Sequence, residues 1–281
     1  MKKLTVSGGL LVFLGALFWS LNAPIVQHLT ADPFLMCGLR ALIAGIAMAA
    51  FIRPKKLQWN GWMVLYACSY CALCLCIMLS LSMTSSAIAL GMQYTALIWL
   101  FLASLVQTRK FRFRSFIPVC IISAGVVFFM CSGSDKTSAT GNLIALLEGI
   151  FFACMTASSK KAAGTNPLGL TAVGNLFTGI LVLALFPART ATMVTLSAMD
   201  WFWLLILGVV QIGCGYAFYN LGIQRVSPQK ASVIALWEMI LGPVWVALFL
   251  GEYPNLPVVI GFVIILAGMV LDARLSTQNS T

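Results

Sequence analysis

The stretch ALWEMILGPVW, residues 235–245, sets one carboxyl in the middle of an uncharged apolar run that extends from about Ala231 to Leu250. A helix of about 20 such residues crosses a hydrocarbon core ~30 Å thick. Glu238 then lies near the bilayer centre. A charge there costs about 2.5–3.5 kcal/mol on insertion scales, and it faces a cavity or a partner.

The same texture repeats along the chain. Of 281 residues, 61% are hydrophobic and 9% charged, against about one half and one quarter in a soluble domain. The charges cluster between long apolar runs. The pattern predicts an all-α membrane protein with ten transmembrane helices. They run approximately Val6–Val26, Pro33–Ile52, Gly61–Leu81, Ser86–Val106, Phe116–Cys131, Leu143–Ser159, Leu168–Phe186, Trp201–Leu221, Ala231–Leu250 and Pro257–Leu271. Membrane strands would instead alternate apolar and polar residues over segments of ~10. Prolines 33, 54, 167, 187, 228 and 254 sit at or near predicted ends. Connections are short, so no soluble domain is inserted. The opening MKKLTVSGGLLVFLGALFWSLNAP reads as the first helix, not a cleaved signal, because it is long enough to span and lacks a small-residue cleavage site.

A net charge of +10 raises nucleic acid as a partner, but the cations sort by loop. Lys2, Lys3, Arg53, Lys55, Lys56, Arg109, Lys110, Arg112, Arg114, Lys160, Lys161, Arg225, Lys230 and Arg274 fall on one side, Lys136 and Arg189 on the other. Lys and Arg in short loops stay cytoplasmic. Ten spans with both termini cytoplasmic in a bacterial inner membrane fit that split, and no nucleic acid is needed to explain the charge.

The two halves resemble each other. DPFLMCGLRALIAGI from Asp32 lies over NPLGLTAVGNLFTGI from Asn166, so that Pro33 falls on Pro167 and, in the same register, Gly45 on Gly179. IISAGVV from Ile121 lies over IILAGMV from Ile264. Five spans per half is odd, so residues 135–281 form a second five-helix repeat inverted relative to residues 1–134. Inverted repeats place a substrate site near the midplane between them.

Arg40, Glu148 and Glu238 lie well inside spans. Their bland reading is an Arg–Glu pair that holds helices together; the other is a polar passage. Ala231, Ile234, Glu238, Leu241, Gly242 and Trp245 share one helical stripe, and Pro243 is expected to kink the helix. Trp237 and Trp245 are candidate walls, and desolvation favours the neutral carboxyl at Glu238. Gln211 and Tyr219 among glycines, Trp19 and Asn22 in the first span, and Gln93 and Tyr94 in the fourth complete the candidate set. The repeat alignment lays Tyr94 over Glu238, which predicts matching depth.

CSYCALCLC carries Cys68, Cys71, Cys74 and Cys76 at metal-like spacing, yet inside one apolar span, with no histidine or loop to wrap an ion. Cysteine there acts as a small hydrophobe. No metal or cofactor is expected. The one histidine, His28, lies in a loop, and no nucleophile–base set or phosphate loop appears. Catalysis and ATP-driven pumping are therefore not expected.

The motifs LFWSLNAPIVQHL, DPFLMCGLRALIAG, GNLIALLEGIFFA and ALWEMILGPVWVALFLGEYPN together resemble the EamA-type branch of the drug/metabolite transporter superfamily, over nearly the whole chain. The resemblance implies an inverted five-plus-five fold and secondary transport of a small metabolite. Gln27 stands where lysine is common, and Glu148 where a small apolar residue is usual. Opposed charges with aromatics favour an amino acid-like zwitterion or an organic cation, with protons as coupling partner or with facilitated diffusion. A lipid-linked substrate flippase is the alternative, ahead of a membrane-embedded enzyme or a receptor. The expected partners are a small solute and membrane lipids, and the chain is read as monomer or homodimer.

Overall fold

The computed structural model describes residues 7–49, 59–111, 113–131, 138–162, 166–226 and 228–278. Every regular element among them is helical. Their order is α1 Gly8–Ser20, α2 Asn22–Val26, α3 Pro33–Ala49, α4 Gly61–Met83, α5 Ser86–Met92, α6 Ala96–Thr108, α7 Phe113–Cys131, α8 Ala139–Ala162, α9 Pro167–Leu185, α10 Pro187–Thr190, α11 Ala198–Leu205, α12 Gly215–Ile223, α13 Pro228–Ala235, α14 Trp237–Leu250 and α15 Leu256–Gln278. A 3₁₀ turn, Gln93–Thr95, joins α5 to α6, and a π-type segment, Ile206–Cys214, joins α11 to α12.

Among the described residues, nine helical stretches are long and apolar enough to cross a membrane: Gly8–Val26, Gly61–Met83, Ser86–Thr108, Phe113–Cys131, Ala139–Ser159, Pro167–Leu185, Ala198–Ile223, Val233–Leu250 and Leu256–Leu275. The chain is a multi-pass membrane protein. α3 is a shorter apolar helix of 17 residues; the end of its predicted span, beyond Ala49, lies outside the described residues.

Local chemistry sets the helix ends. Ser7, Asn60 and Asn166 each cap a helix by accepting from the backbone N–H three residues on, and Pro167 follows Asn166 at the first helical position. Ser197 and Asp200 form a reciprocal capping box. α6 and α14 both stop on a left-handed residue, Arg109 (φ 51°) and Gly251 (φ 65°). The two caps occupy equivalent places in the two halves.

The helices pair in a repeating scheme. α3 packs on α9, α7 on α15, α1 on α12 and α4 on α8. The close approaches are reciprocal. A Cβ at Gly45 would lie 2.7 Å from Leu176 Cγ, and one at Gly179 would lie 2.7 Å from Leu42 Cβ. Likewise Gly125 would strike Ile265 at 2.6 Å, and Gly268 would strike Ile122 at 2.7 Å. Glycine is required at these points because no side chain fits between the backbones.

Three of the membrane-crossing stretches are interrupted. Pro24 has no N–H to offer the Ser20 carbonyl, and the first helix breaks at Leu21. The Gln93–Thr95 turn separates α5 from α6, and Leu236 separates α13 from α14. This last break falls before Glu238. Pro243 sits inside α14, one to two turns past this break. Setting Arg109 on Gly251 gives a register of α5–α6 against α13–α14 two residues away from the one that lays Tyr94 over Glu238; in it Tyr94 falls on Leu236.

Loops gather at two ends of the bundle. At the far end, reached by α2, Arg189 pairs with Asp32 (3.1 Å), Thr84 donates to Asn142 (2.6 Å) and Thr30 meets Asp200. At the near end, where α1 begins, Asn60 reaches the Lys161 carbonyl, and the Lys161 ammonium lies 4.0 Å over the Trp62 ring.

Candidate functional site

The three interruptions surround a polar and aromatic interior. Trp19, just before the break at Leu21, packs its indole on Tyr216 and Tyr219, with ring centroids 4.8 and 4.9 Å away. That approach is possible because Gly15 and Gly215 bring α1 and α12 together; a Cβ at Gly215 would lie 2.6 Å from the Trp19 ring. The π-type segment sets Gln211 against the same break, where its amide donates to the Trp19 carbonyl (3.3 Å). Trp245 Nε1 donates to Ser20 Oγ (3.0 Å), which itself donates to the Leu17 carbonyl. α14 is thereby tied to the break in the first helix.

Arg40 is 4% exposed. Its Nη1 donates to Asn22 Oδ1 (2.8 Å); Tyr70, Cys74 and Tyr216 lie within its electrostatic reach. Asn175, fully buried, donates to Tyr70 Oη (2.9 Å). Glu238, partly buried, is within electrostatic reach of Tyr94, Tyr216 and Tyr219. Gln93 adjoins Tyr94 in the 3₁₀ turn.

Glu148 stands apart, 1% exposed between α8 and α4, where the Ser80 hydroxyl donates to its Oε1. Its neighbour Gly149 abuts Thr95 of the 3₁₀ turn. Trp237 is 46% exposed and packs edge-on against Phe13. It lies on the bundle surface, unlike Trp19 and Trp245.

Among the described residues, none of the three deep ionisable groups pairs with an opposite charge. Arg40 has an amide, Glu148 a hydroxyl, and Glu238 faces tyrosines. The Arg–Glu clamp that sequence spacing allows is not formed. Several buried polar atoms also lack a protein partner: Trp19 Nε1, Arg40 Nε, Asn175 Oδ1 and Gln211 Oε1. A buried polar atom left in this way costs about 1–3 kcal/mol.

Tyr70, Asn175, Tyr216 and Ser20 belong to this interior although the apolar pattern passes over them. Their signal in sequence is a single hydrogen-bonding side chain at mid-span. The tyrosine inside CSYCALCLC and the asparagine inside NPLGLTAVGNLFTGI are of that kind. The nine cysteines are free thiols, and Cys74 contributes to the Arg40 surroundings.

The chain is 25% identical over 248 residues to the uncharacterized transporter YxxF of Bacillus subtilis, covering 85% of this chain and 79% of that one. It is 25% identical over 299 residues to an uncharacterized transporter of Clostridium kluyveri, covering 97% and 93%. A solved structure titled only as a crystal structure of a protein superposes with a TM-score of 0.65 at 17% identity, over 97% of this chain and all of that one, which shows a shared fold. The model of the EamA-like transporter family matches twice, over residues 6–131 and 139–272. With both matches together spanning most of its length, the chain belongs to the EamA-like transporter family.

Proposed function

We propose that this transporter is a secondary carrier that moves a small metabolite across the cytoplasmic membrane by alternating access, around a site between two inverted five-helix repeats. The reciprocal crossings of α3 on α9 and α7 on α15 support the repeats. Counting α3 as a span gives ten. The lysine and arginine bias then puts the near end, and both termini, in the cytoplasm.

One observation carries the reading. A guanidinium and a carboxyl, each without an opposite charge among the described residues, sit beside breaks in different helices, and both lie within electrostatic reach of Tyr216. Interrupted helices at the midplane free backbone groups and are where carriers bind solutes. Arg40 suits a carboxylate, and Glu238 suits an amine or a proton. Trp19 and the tyrosines suit an organic body between them. An amino acid-like zwitterion or an organic cation fits this set, with proton coupling through Glu238.

The experiment is a thermal-shift screen of the purified protein over amino acids, amines and quaternary cations, since a ligand of the folded state raises apparent stability. Flux of any hit into proteoliposomes follows, across pH, for wild type and Glu238→Gln. The expected result is saturable flux that Glu238→Gln abolishes or makes insensitive to pH. Unchanged rate and unchanged pH dependence in that variant reject the role of Glu238, and lipid scrambling without solute flux favours a flippase.

A further inference from the structure

Gln27 ends α2, Ser86 opens α5, and Glu252 follows the left-handed cap of α14. The Gln27 amide donates both to Ser86 Oγ and to Glu252 Oε2, the latter at 3.2 Å. One side chain thus ties three segments from three different membrane-crossing helices. Each of those segments lies beyond a break: α2 beyond Leu21, α5 on the far side of Gln93–Thr95, and α14 beyond Leu236. The breaks are the positions that flank Trp19, Asn22, Tyr94 and Glu238.

From this geometry we infer that Gln27, Ser86 and Glu252 form a latch that holds the far end closed. This rests on the transport reading above and adds the residues that bias its conformational equilibrium.

Packing differs between the two ends in the way the latch requires. At the far end α14 packs against α2 and α5, and α5 packs also on α15. Gly242 of α14 admits Leu90 of α5, where a Cβ would lie 2.7 Å from Leu90 Cδ1. At the near end the corresponding pieces diverge. α6 leans on α7 and α8, while α13 leans on α1 and α15. Of α6 only Ala96 is buried. Above Glu238 and Tyr94, α5 and α14 pack on each other, whereas below them α6 and α13 pack on different neighbours.

The repeat register places different chemistry at the positions equivalent to the latch. In the register that sets Gly45 on Gly179, Gln27 corresponds to Lys161. In the register of the two left-handed caps, Arg109 on Gly251, Ser86 corresponds to Pro228 and Glu252 to Lys110. An amide, a hydroxyl and a carboxylate at the far end are replaced by two lysines and a proline at the near end. Proline offers no hydroxyl, and a lysine ammonium offers no acceptor. Lys161 instead lies over the Trp62 ring. The favourable contact of Gln27 with Ser86 and Glu252 tilts the equilibrium toward the conformer in which the far end is held together. Gly251 is needed for this: its left-handed backbone turns the chain off the α14 axis and brings Glu252 back over Gln27. A cavity of about 350 Å³ lies beside the latch, lined in part by Ser85, Pro243, Val246, Glu252 and Val258, and gives these pieces room to separate.

The test is amide hydrogen exchange of the full chain in lipid nanodiscs, read segment by segment, and it needs no substrate. Gln27→Ala and Glu252→Ala should each raise exchange in α5 and α14 about five-fold, the worth of one net hydrogen bond, with α3 and α9 unchanged. The double variant should add little to either single, because both remove the same tie. Gln27→Glu, which sets two carboxylates together, should exceed Gln27→Ala, and Glu252→Gln, which keeps an acceptor, should stay near wild type. Unchanged exchange in both alanine variants overturns the latch. So does a rise that spreads equally into α3 and α9, or effects that add fully in the double variant. Loss of flux in Glu238→Gln with no response at Gln27 would leave the transport reading standing and end the latch. A working latch in a protein that carries no solute would do the reverse.

Discussion

Gly45 and Gly179 face each other's helices, and each receives the leucine three residues before the other: Leu176 against Gly45, Leu42 against Gly179. The contact is a mutual one between α3 and α9, with backbone as well as side chain at close range.

Because the Leu176 backbone nitrogen also lies 2.8 Å from a Cβ at Gly45, the crossing cannot yield by a rotamer change. Gly45→Ala should destabilise the protein by about 1–3 kcal/mol. Leu176→Ala should not rescue it, since the obstructing backbone remains. Unfolding in detergent, followed by temperature, reads both.

Asn22 carries the bonded contact to a buried guanidinium. Asn22→Ala removes that acceptor and should cost about 1–3 kcal/mol. Asn22→Asp supplies a carboxylate at the same place. It should keep the fold while occupying Arg40, so flux of carboxylate-bearing solutes should fall at least ten-fold while amine-only solutes keep theirs. Equal loss for both solute classes would assign Arg40 to structure alone.

Ser80 and Glu148 present an asymmetric pair. Glu148→Gln keeps an acceptor for the Ser80 hydroxyl and should change stability little. Ser80→Ala strips a fully buried carboxyl of its hydroxyl partner and should cost about 1–3 kcal/mol. The ranking of the two variants by apparent unfolding temperature is the check.

The matched helix ends respond in opposite directions. Arg109 adopts a left-handed backbone without being glycine, so Arg109→Gly should gain up to about 1 kcal/mol. Gly251→Ala, at φ 65° in open space, should lose a similar amount. Thermal unfolding of the two variants beside wild type reads the opposed signs.

Arg189 and Asp32 make an ion pair with the arginine side chain 59% exposed. Solvent screens it, so Arg189→Ala should shift stability by less than about 1 kcal/mol, and salt should erase that shift.

The sequence made most of this architecture readable because bilayer thickness fixes run length and because Gly45, Gly179, Gly125 and Gly268 recur in register. The breaks were harder. At Ala235–Leu236 no glycine or proline announces one, and Pro243 lies well past it, inside α14. The first-helix break had a visible cause in Pro24, since its missing N–H strands a carbonyl. Trp19, Asn22, Arg40, Gln211 and Tyr219 meet in one interior, but Glu148 is turned toward α4 and Trp237 outward. Periodicity assigns a residue to a stripe, and the rotation of that stripe toward lipid or interior is set by neighbours such as Phe13 and Ser80. Tyr70 and Asn175 were hidden for a related reason: a lone polar group in a greasy run reads as tolerated until its distant partner in the chain is brought beside it.

A ribosome delivers Gly45 long before Leu176, and Gly125 long before Ile265. The early helices enter the lipid with their glycine-notched faces unfilled, and α7 waits for α15 to be made. Assembly is therefore deferred until α15 has emerged, and the partly made protein is the stage at which quality-control proteases and insertion chaperones would find the most to hold.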